Sequence, residues 1–190
     1  MSILVVISAP SGSGKTTIAH EILRRHPEIV FSVSATTRKQ RPGEIEGKDY
    51  YFLTVEEFKK KIDENAFIEW EQLFDNYYGT LKSEVDRAFS RGKSLLFDVD
   101  VKGAISIKKL YPREALLIFV KAPDTETVQK RLLNRKTESE DAIRRRLERV
   151  KMEMSKEPEF EYSVVNDNVD TAIDSVDAII CKKLTRTTAA

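Results

Sequence analysis

The chain has 190 residues, 41% of them hydrophobic and 33% charged, with a formal net charge of +1. These figures suit one soluble domain with core enough to fold unaided, and they exclude a global pull toward nucleic acid or membrane, so any anion site has to be local. A lone Cys181 rules out an internal disulfide, and with only His20 and His26 beside it a zinc site or a histidine relay has almost nothing to be built from.

Met1 leads into ILVVIS (3–8), too short for a signal segment or a membrane span, and it reads as a buried first strand of a cytoplasmic protein. KTTIAHEILRR follows as a helix with Ile18, Ile22 and Leu23 on one stripe, stopped by Pro27. Residues 34–80 break the pattern: they carry Pro42, Gly43, Gly47 and Gly79, the aromatics Tyr50, Tyr51, Trp70, Tyr77 and Tyr78, and short strand-like pieces. A helix over 82–91, bearing Val85, Ala88 and Phe89, ends at Gly92. SLLFD (94–98) and ALLIFV (115–120) are apolar throughout, as strands covered on both faces are. Residues 124–150 are helical and dense in arginine; TESE (137–140) is a capping-box signature ahead of DAIRRRLERVKMEM. A strand YSVV (162–165) and a helix DTAIDSVDAIICKKL (170–184) close the chain, with Cys181 among apolar neighbours and therefore inert. The architecture is α/β, a parallel sheet flanked by helices, and the two irregular regions look like inserts of the kind that form mobile lids.

Between the first strand and helix lies SAPSGSGKTT, residues 8–17, which falls one glycine short of G-x-x-x-x-G-K-[ST] because Ala9 stands at the opening position. Gly12 and Gly14 permit backbone angles and close approach that a Cβ would block, so successive N–H groups after Pro10, from Ser11 to Thr17, can ring an anion at a helix N-terminus. Ser11, Ser13 and Thr17 complete this loop, Lys15 reaches for β- and γ-phosphates, and the Thr16 hydroxyl is a ligand for Mg²⁺. Alanine at position 9 costs something only if that residue needs a positive φ. Asp98, closing SLLFD, stands where a Walker-B aspartate would hold Mg²⁺ with Thr16, although a strand-end aspartate also serves as a cap or ion-pair partner.

TTRKQRPGE adds Arg38 and Arg41, whose planar forks suit phosphate oxygens, and the hydroxyls of Tyr50 and Tyr78 can donate to the same group. Taken alone, such an arginine pair equally suits a solvated surface. Together with the cradle it implies a second phosphate site, and two such sites favour transfer over hydrolysis. No NKxD-type guanine motif is present; VVNDNVD lacks the lysine.

SAPSGSGKTT, SVSATTRKQRPGEIEGKDYYF, FIEW, NYYGT, LLFDVDVKGA, RLLNR and VVNDN follow one another in the order seen in guanylate kinases, and over residues 3 to about 183 the chain resembles that family. The resemblance implies an ATP:GMP phosphotransferase using Mg²⁺, with a core (1–33, 81–123 and 151–190), a mixed α+β GMP-binding insert (about 34–80) and an arginine lid (about 124–150). It implies that Ser34, Glu69, Thr80 and Asp100 contact guanine while Arg38, Arg41, Tyr50 and Tyr78 hold the GMP phosphate. It further implies that Ala9 to Thr17 bind ATP, that Arg131, Arg135 and Arg146 reach its phosphates, and that Asn166 and Asn168 lie near adenine. Val101 and Lys102 stand where many relatives carry an aromatic and a glutamine, and Thr80 keeps the hydroxyl of a frequent serine.

The chemistry of guanine agrees. Its N1–H and N2 amino group are adjacent donors for an acceptor-only carboxylate, and its O6 accepts from a hydroxyl such as Ser34 or Thr80. Adenine would face the carboxylate with a lone pair, a mismatch that discriminates by roughly 10⁴-fold when buried. Alternation along FIEWEQL puts Glu69 and Glu71 on one face and does not choose between them. Arg144, Arg145 and Arg149 read as a solvated helix face with i,i+4 pairs. Two rivals stay open here: a catalytically inactive, peptide-binding guanylate-kinase-like module, disfavoured by the intact Lys15, Thr16, Arg38, Arg41 and Glu69, and a kinase for another nucleoside monophosphate or a phosphorylated sugar, disfavoured by Glu69. dGMP is a further acceptor to test.

Overall fold

A computed structural model describes residues 2–73, 75–124, 126–128 and 148–188. Its strands are β1 (Leu4–Ser8), β2 (Ile29–Phe31), β3 (Ala35–Thr36), β4 (Tyr51–Phe52), β5 (Phe67–Leu73), β6 (Asn76–Leu81), β7 (Ser94–Asp98), β8 (Ala115–Lys121) and β9 (Tyr162–Val165). Its helices are α1 (Lys15–Arg25), α2 (Val55–Asp63), α3 (Lys82–Phe89), α4 (Val101–Leu110) and a C-terminal helix, Val169–Thr188. Residues 148–154 are also helical.

The main sheet runs β2-β7-β1-β8-β9 and every pairing in it is parallel. Burial on both faces explains why its central strands are apolar throughout. Alternate side chains of β1 go to opposite sides: Ile3, Val5 and Ile7 join α1 and the C-terminal helix through Ile18, Ile22, Ile173, Val176 and Ile180. Leu4 and Val6 turn the other way, onto Val85, Ala88, Ala104 and Ile107 of α3 and α4. Parallel register sets Ile7 beside Asp98, so the loop after β1 and the end of β7 emerge together at the carboxyl edge of the sheet, where ligands of open α/β sheets bind.

The apolar runs of the sequence reappear as β1, β7, β8 and β9; the edge strand β2 does not announce itself, because Val30 and Phe31 are 38% and 40% exposed. Nor does α4, which begins at Asp100, whose carboxylate accepts from the Gly103 N–H in an N-cap.

Residues 35–81 build a second sheet, β4-β3-β6-β5, mixed in direction. It has its own core: Phe58 of α2 stacks on Phe67 at 4.4 Å and lies 5.4 Å from Tyr77. The residue pattern alone suggests only strand-like pieces here; the signal for α2 is the capping box Thr54–Glu57, in which each side chain bonds the other's backbone N–H. The carboxylate of Glu84, 4% exposed, joins the two sheets. It accepts from the Val33 N–H at 3.0 Å, the Tyr51 hydroxyl at 3.0 Å and Arg87 Nη2 at 2.6 Å. Three donors on one buried carboxylate satisfy it fully.

Gly79 crosses Trp70 at the tightest point of the β5–β6 pair. A Cβ there would lie 2.8 Å from the Glu69 carbonyl oxygen and 2.9 Å from Trp70 Cβ, both fixed atoms. Gly79→Ala therefore destabilises the chain by about 1–3 kcal/mol, measured by urea denaturation, through forced strand displacement. Unchanged stability would show the pair to be looser than described.

Candidate active site

The loop after β1 has the backbone that its glycines foreshadow. Gly12 and Gly14 have φ of 84° and 83°, whereas Asn65 is the one non-glycine with positive φ among the described residues, so Ala9 carries no strain. Gly14 is doubly required, since a Cβ would run into the amide of Asn166. Asn166, 4% exposed, follows β9 and donates from Nδ2 to the Ser13 carbonyl at 2.7 Å, pinning the loop from below. Asn168 instead caps the C-terminal helix, its Oδ1 accepting from the Asp170 and Thr171 N–H groups at 3.0 and 3.1 Å. Both asparagines are thus engaged with the chain's own backbone, a duty that the sequence does not signal.

Lys15 opens α1 and turns back to the end of β7, where Nζ donates to the Val99 carbonyl at 2.7 Å and pairs with Asp98 Oδ1 at 2.5 Å. Thr16 Oγ1 lies 3.5 Å from Asp98 Oδ2. These two oxygens are hard donors on neighbouring elements, a set that suits a cation which keeps most of its own water, as Mg²⁺ does.

Opposite this cradle the second sheet presents a cationic and phenolic group. Arg38 is held by Glu44 in a fork, Nη1 at 3.1 Å and Nη2 at 2.7 Å, and stacks 5.3 Å from the Tyr50 ring centre. Tyr50 meets Tyr78 edge-on at 6.4 Å. Burial raises the Tyr50 phenol above its ordinary pKa, against the pull of Arg38, so it stays a neutral donor. The Asp98 charge also reaches Tyr50, which puts this group close to the cradle. Arg41 is exposed, its backbone N–H bonded to Glu44 Oε2 at 2.8 Å. Ser34, half-buried, precedes β3 and accepts the Tyr51 N–H through its carbonyl at 2.9 Å.

The strand pair puts Glu69 and Glu71 in different surroundings. A register shift between Phe67 and Glu69 sets Glu69 against Thr80, whose hydroxyl donates to Oε1 at 2.6 Å, while Glu71 faces Tyr78. Burial raises the Glu69 carboxyl, and the negative charges of Asp100 and Glu71 add to that against the Thr80 bond. The first turn of α4 comes up against it: a Cβ on Gly103 would lie 3.4 Å from both the Glu69 carboxyl carbon and Asp100 Oδ1. Asp100 accepts from the Gly103 N–H through Oδ1 at 2.8 Å and from Arg149 Nη2 through Oδ2 at 3.2 Å. Arg149 does form the expected i,i+4 pair, Nε to Glu153 Oε1 at 2.9 Å, but its other nitrogen spans to Asp100 and makes it more than a solvated surface charge. No spacing rule signals that reach. Arg131, Arg135 and Arg146 lie outside the described residues.

The chain is similar to known proteins over nearly its whole length. The family model described as guanylate kinase matches residues 1–183. A guanylate kinase of Chlorobium chlorochromatii is 50% identical over 177 residues, 93% of each chain. One from Thermotoga maritima is 44% identical over 177 residues, 93% of this chain and 85% of that one. The crystal structure of guanylate kinase from Anaplasma phagocytophilum superposes with a TM-score of 0.74 at 29% identity, covering 96% of this chain and 86% of that one.

Asn166→Ala removes the strut beneath the cradle and leaves the Ser13 carbonyl buried without this donor. The expected cost is about 1–3 kcal/mol of stability, with a higher KM for the nucleotide bound there. Thermal melting and steady-state kinetics check both.

Proposed function

The chain belongs to the guanylate kinase family, and on that premise we propose that it transfers the γ-phosphate of ATP to GMP, giving ADP and GDP, with the residue roles set out below. The observation that carries this reading is the juxtaposition of two unlike sites: a cradle with Lys15, Thr16 and Asp98 on one side, and the Glu69–Thr80 pair with Arg38, Tyr50 and Tyr78 on the other.

GMP enters against the second sheet. The Glu69 carboxylate takes the guanine N1–H and N2 amino protons, Asp100 offers a further acceptor, and the Ser34 or Thr80 hydroxyl serves O6. Arg38, Arg41, Tyr50 and Tyr78 hold the phosphate, for which Arg38 exchanges part of its bond to Glu44. ATP lies with its phosphates on N–H groups between Ser11 and Thr17, including those of Ser11, Gly12 and Gly14, while the Ser13 N–H donates to the Pro10 carbonyl at 3.2 Å and holds the loop turn; Asn166 and Asn168 border the adenine end.

The acceptor phosphate is mostly a dianion near neutral pH, its second pKa being about 6, so no general base is needed. A GMP phosphate oxygen bonds to the γ-phosphorus as the bond from that phosphorus to the β–γ bridging oxygen breaks, and the electron pair leaves with ADP. What opposes the step is repulsion between the two anions. Lys15 offsets it at the transferring group, and Arg131, Arg135 and Arg146 of the lid add charge on closure while excluding water. Thr16 and Asp98 would hold Mg²⁺, which supplies positive charge to the β- and γ-phosphate oxygens when bound. A cytoplasmic setting suits a reaction between two small soluble nucleotides.

A coupled assay of ADP formation with GMP, dGMP, AMP, UMP and CMP tests the proposal: turnover is expected with GMP, and a preference for AMP or a pyrimidine nucleotide would overturn it. Lys15→Ala is expected to lower kcat by about 10³-fold with the fold intact. In Glu69→Gln the preference for GMP over AMP falls by about 10²-fold or more. The same variant yields a pH test. Glu69 binds as the carboxylate and its pKa is raised, so GMP affinity is lost on acidification sooner than an ordinary glutamate would predict. The GMP phosphate titrates in both proteins, so the difference between their KM–pH profiles isolates Glu69; superimposable profiles would move the guanine contact elsewhere.

A further inference from the structure

The sequence offers too few histidines and cysteines for a metal site, yet folding brings one of each together far from the nucleotide cradle. His26 is the C-cap of α1, at the opposite end from Lys15, and is 8% exposed. Its Nδ1 lies 2.8 Å from Glu28 Oε1 and its Nε2 lies 2.5 Å from Asp177 Oδ1 on the C-terminal helix. One turn further along that helix, Cys181 Sγ lies 3.8 Å from the same Asp177 oxygen. The donor atoms of His26, Asp177 and Cys181 all fall within 4.8 Å of one another.

We propose that His26, Asp177 and Cys181 form a three-ligand site for a divalent transition-metal cation of the Zn²⁺ class, completed by solvent, which clips α1 to the C-terminal helix. Imidazole nitrogen, thiolate sulfur and carboxylate oxygen are the donors that such an ion selects. Ligand bonds of roughly 2.0–2.3 Å in a tetrahedron require the His26–Asp177 pair to open, and the sulfur to swing in, by about 1 Å each. Cys181 is exposed, which leaves its side chain room to move and gives the ion a way in.

The outer shell is already in place. Glu28 takes the Nδ1 proton, so Nε2 is the nitrogen turned toward the metal, the arrangement that orients most metal-bound histidines. Arg25 Nη1 holds Asp177 Oδ2 at 3.3 Å and leaves Oδ1 for the ion, while Asp174 shares that guanidinium at 2.8 Å. Without metal His26 bridges Glu28 and Asp177 through its two ring nitrogens. Burial works against a charged His26 ring, but Asp177 and Glu28 outweigh it and raise its pKa, and Lys93 lies near enough to act on Glu28. Burial and the Asp177 charge raise the Cys181 thiol. Metal binding displaces the Nε2 and thiol protons to solvent, so it tightens as pH rises. The cradle at the other end of α1 offers Thr16 and Asp98 oxygens alone, so a hard ion and a borderline one sort to opposite ends of the same helix.

Cobalt(II) reads the site directly. The full-length chain, freed of metal by chelation and titrated at mildly alkaline pH without nucleotide or Mg²⁺, is expected to develop thiolate-to-cobalt charge-transfer absorption saturating at one equivalent and bleached by Zn²⁺. Cys181→Ser, an exposed substitution, keeps the fold and loses the band, and His26→Asn weakens binding at least tenfold, within the range of about 10–100-fold for disturbed metal shells. Zn²⁺ raises the Tm of the unaltered chain and not that of Cys181→Ser. The cradle oxygens give no such band whatever cobalt they bind. Absence of charge transfer at millimolar cobalt, a band that survives Cys181→Ser, or an equal Tm rise in both proteins would overturn the proposal.

Discussion

Where β7 ends, Asp98, Val99 and Asp100 tie both proposed nucleotide sites to one piece of backbone. Asp98 and the Val99 carbonyl fix the ammonium of Lys15, and Asp98 stands by Thr16; two residues later Asp100 caps α4 beside Glu69. The parallel register that sets Ile7 against Asp98 governs this, because a slip of one residue would turn each of those side chains to the other face of the sheet. The relative placement of the two proposed sites is therefore a property of the sheet.

Charge is segregated around that segment. Lys15 and the Arg38–Glu44 fork carry the cationic groups of the two proposed phosphate sites, while Glu69, Glu71 and Asp100 gather where the guanine is proposed to bind. Three carboxylates so close raise the cost of ionising the buried one, and the structure offsets it with the Thr80 hydroxyl, the Gly103 N–H and the Arg149 guanidinium rather than with a buried ion pair. The partly unmet acceptor capacity that results is complementary to a base with two adjacent N–H donors. Arg149, anchored on Glu153, also joins helical residues 148–154 to the base end of the site.

Much of this was legible in the residues. Apolar runs gave the central strands because both faces of those strands are covered, and the paired glycines marked the loop because only they adopt its angles. What local pattern could not show depends on distant partners. β2 is half exposed and so lacks the all-apolar signature. Glu69 is singled out from Glu71 by a bulge and by Thr80, neither of which alternation can see. Asn166 is assigned to the loop only through Ser13 on another strand's turn, and Arg149 to Asp100 only across an interface. Nor does composition show that His26, Asp177 and Cys181 come together, because it counts residues, whereas the meeting of α1 with the C-terminal helix decides which of them touch.

The aromatic core of the second sheet is separate from those flanking the main sheet, and the Glu84 carboxylate is a principal bond between them. Most residues proposed to select the acceptor therefore lie on a part of the chain with a core of its own, joined to the rest through Glu84, through Asp100 beside Glu69, and through Ile68 of β5, which packs with α3 and α4. A few substitutions on that part can then retune the preference for one base while the loop after β1 keeps its backbone and its Asn166 strut.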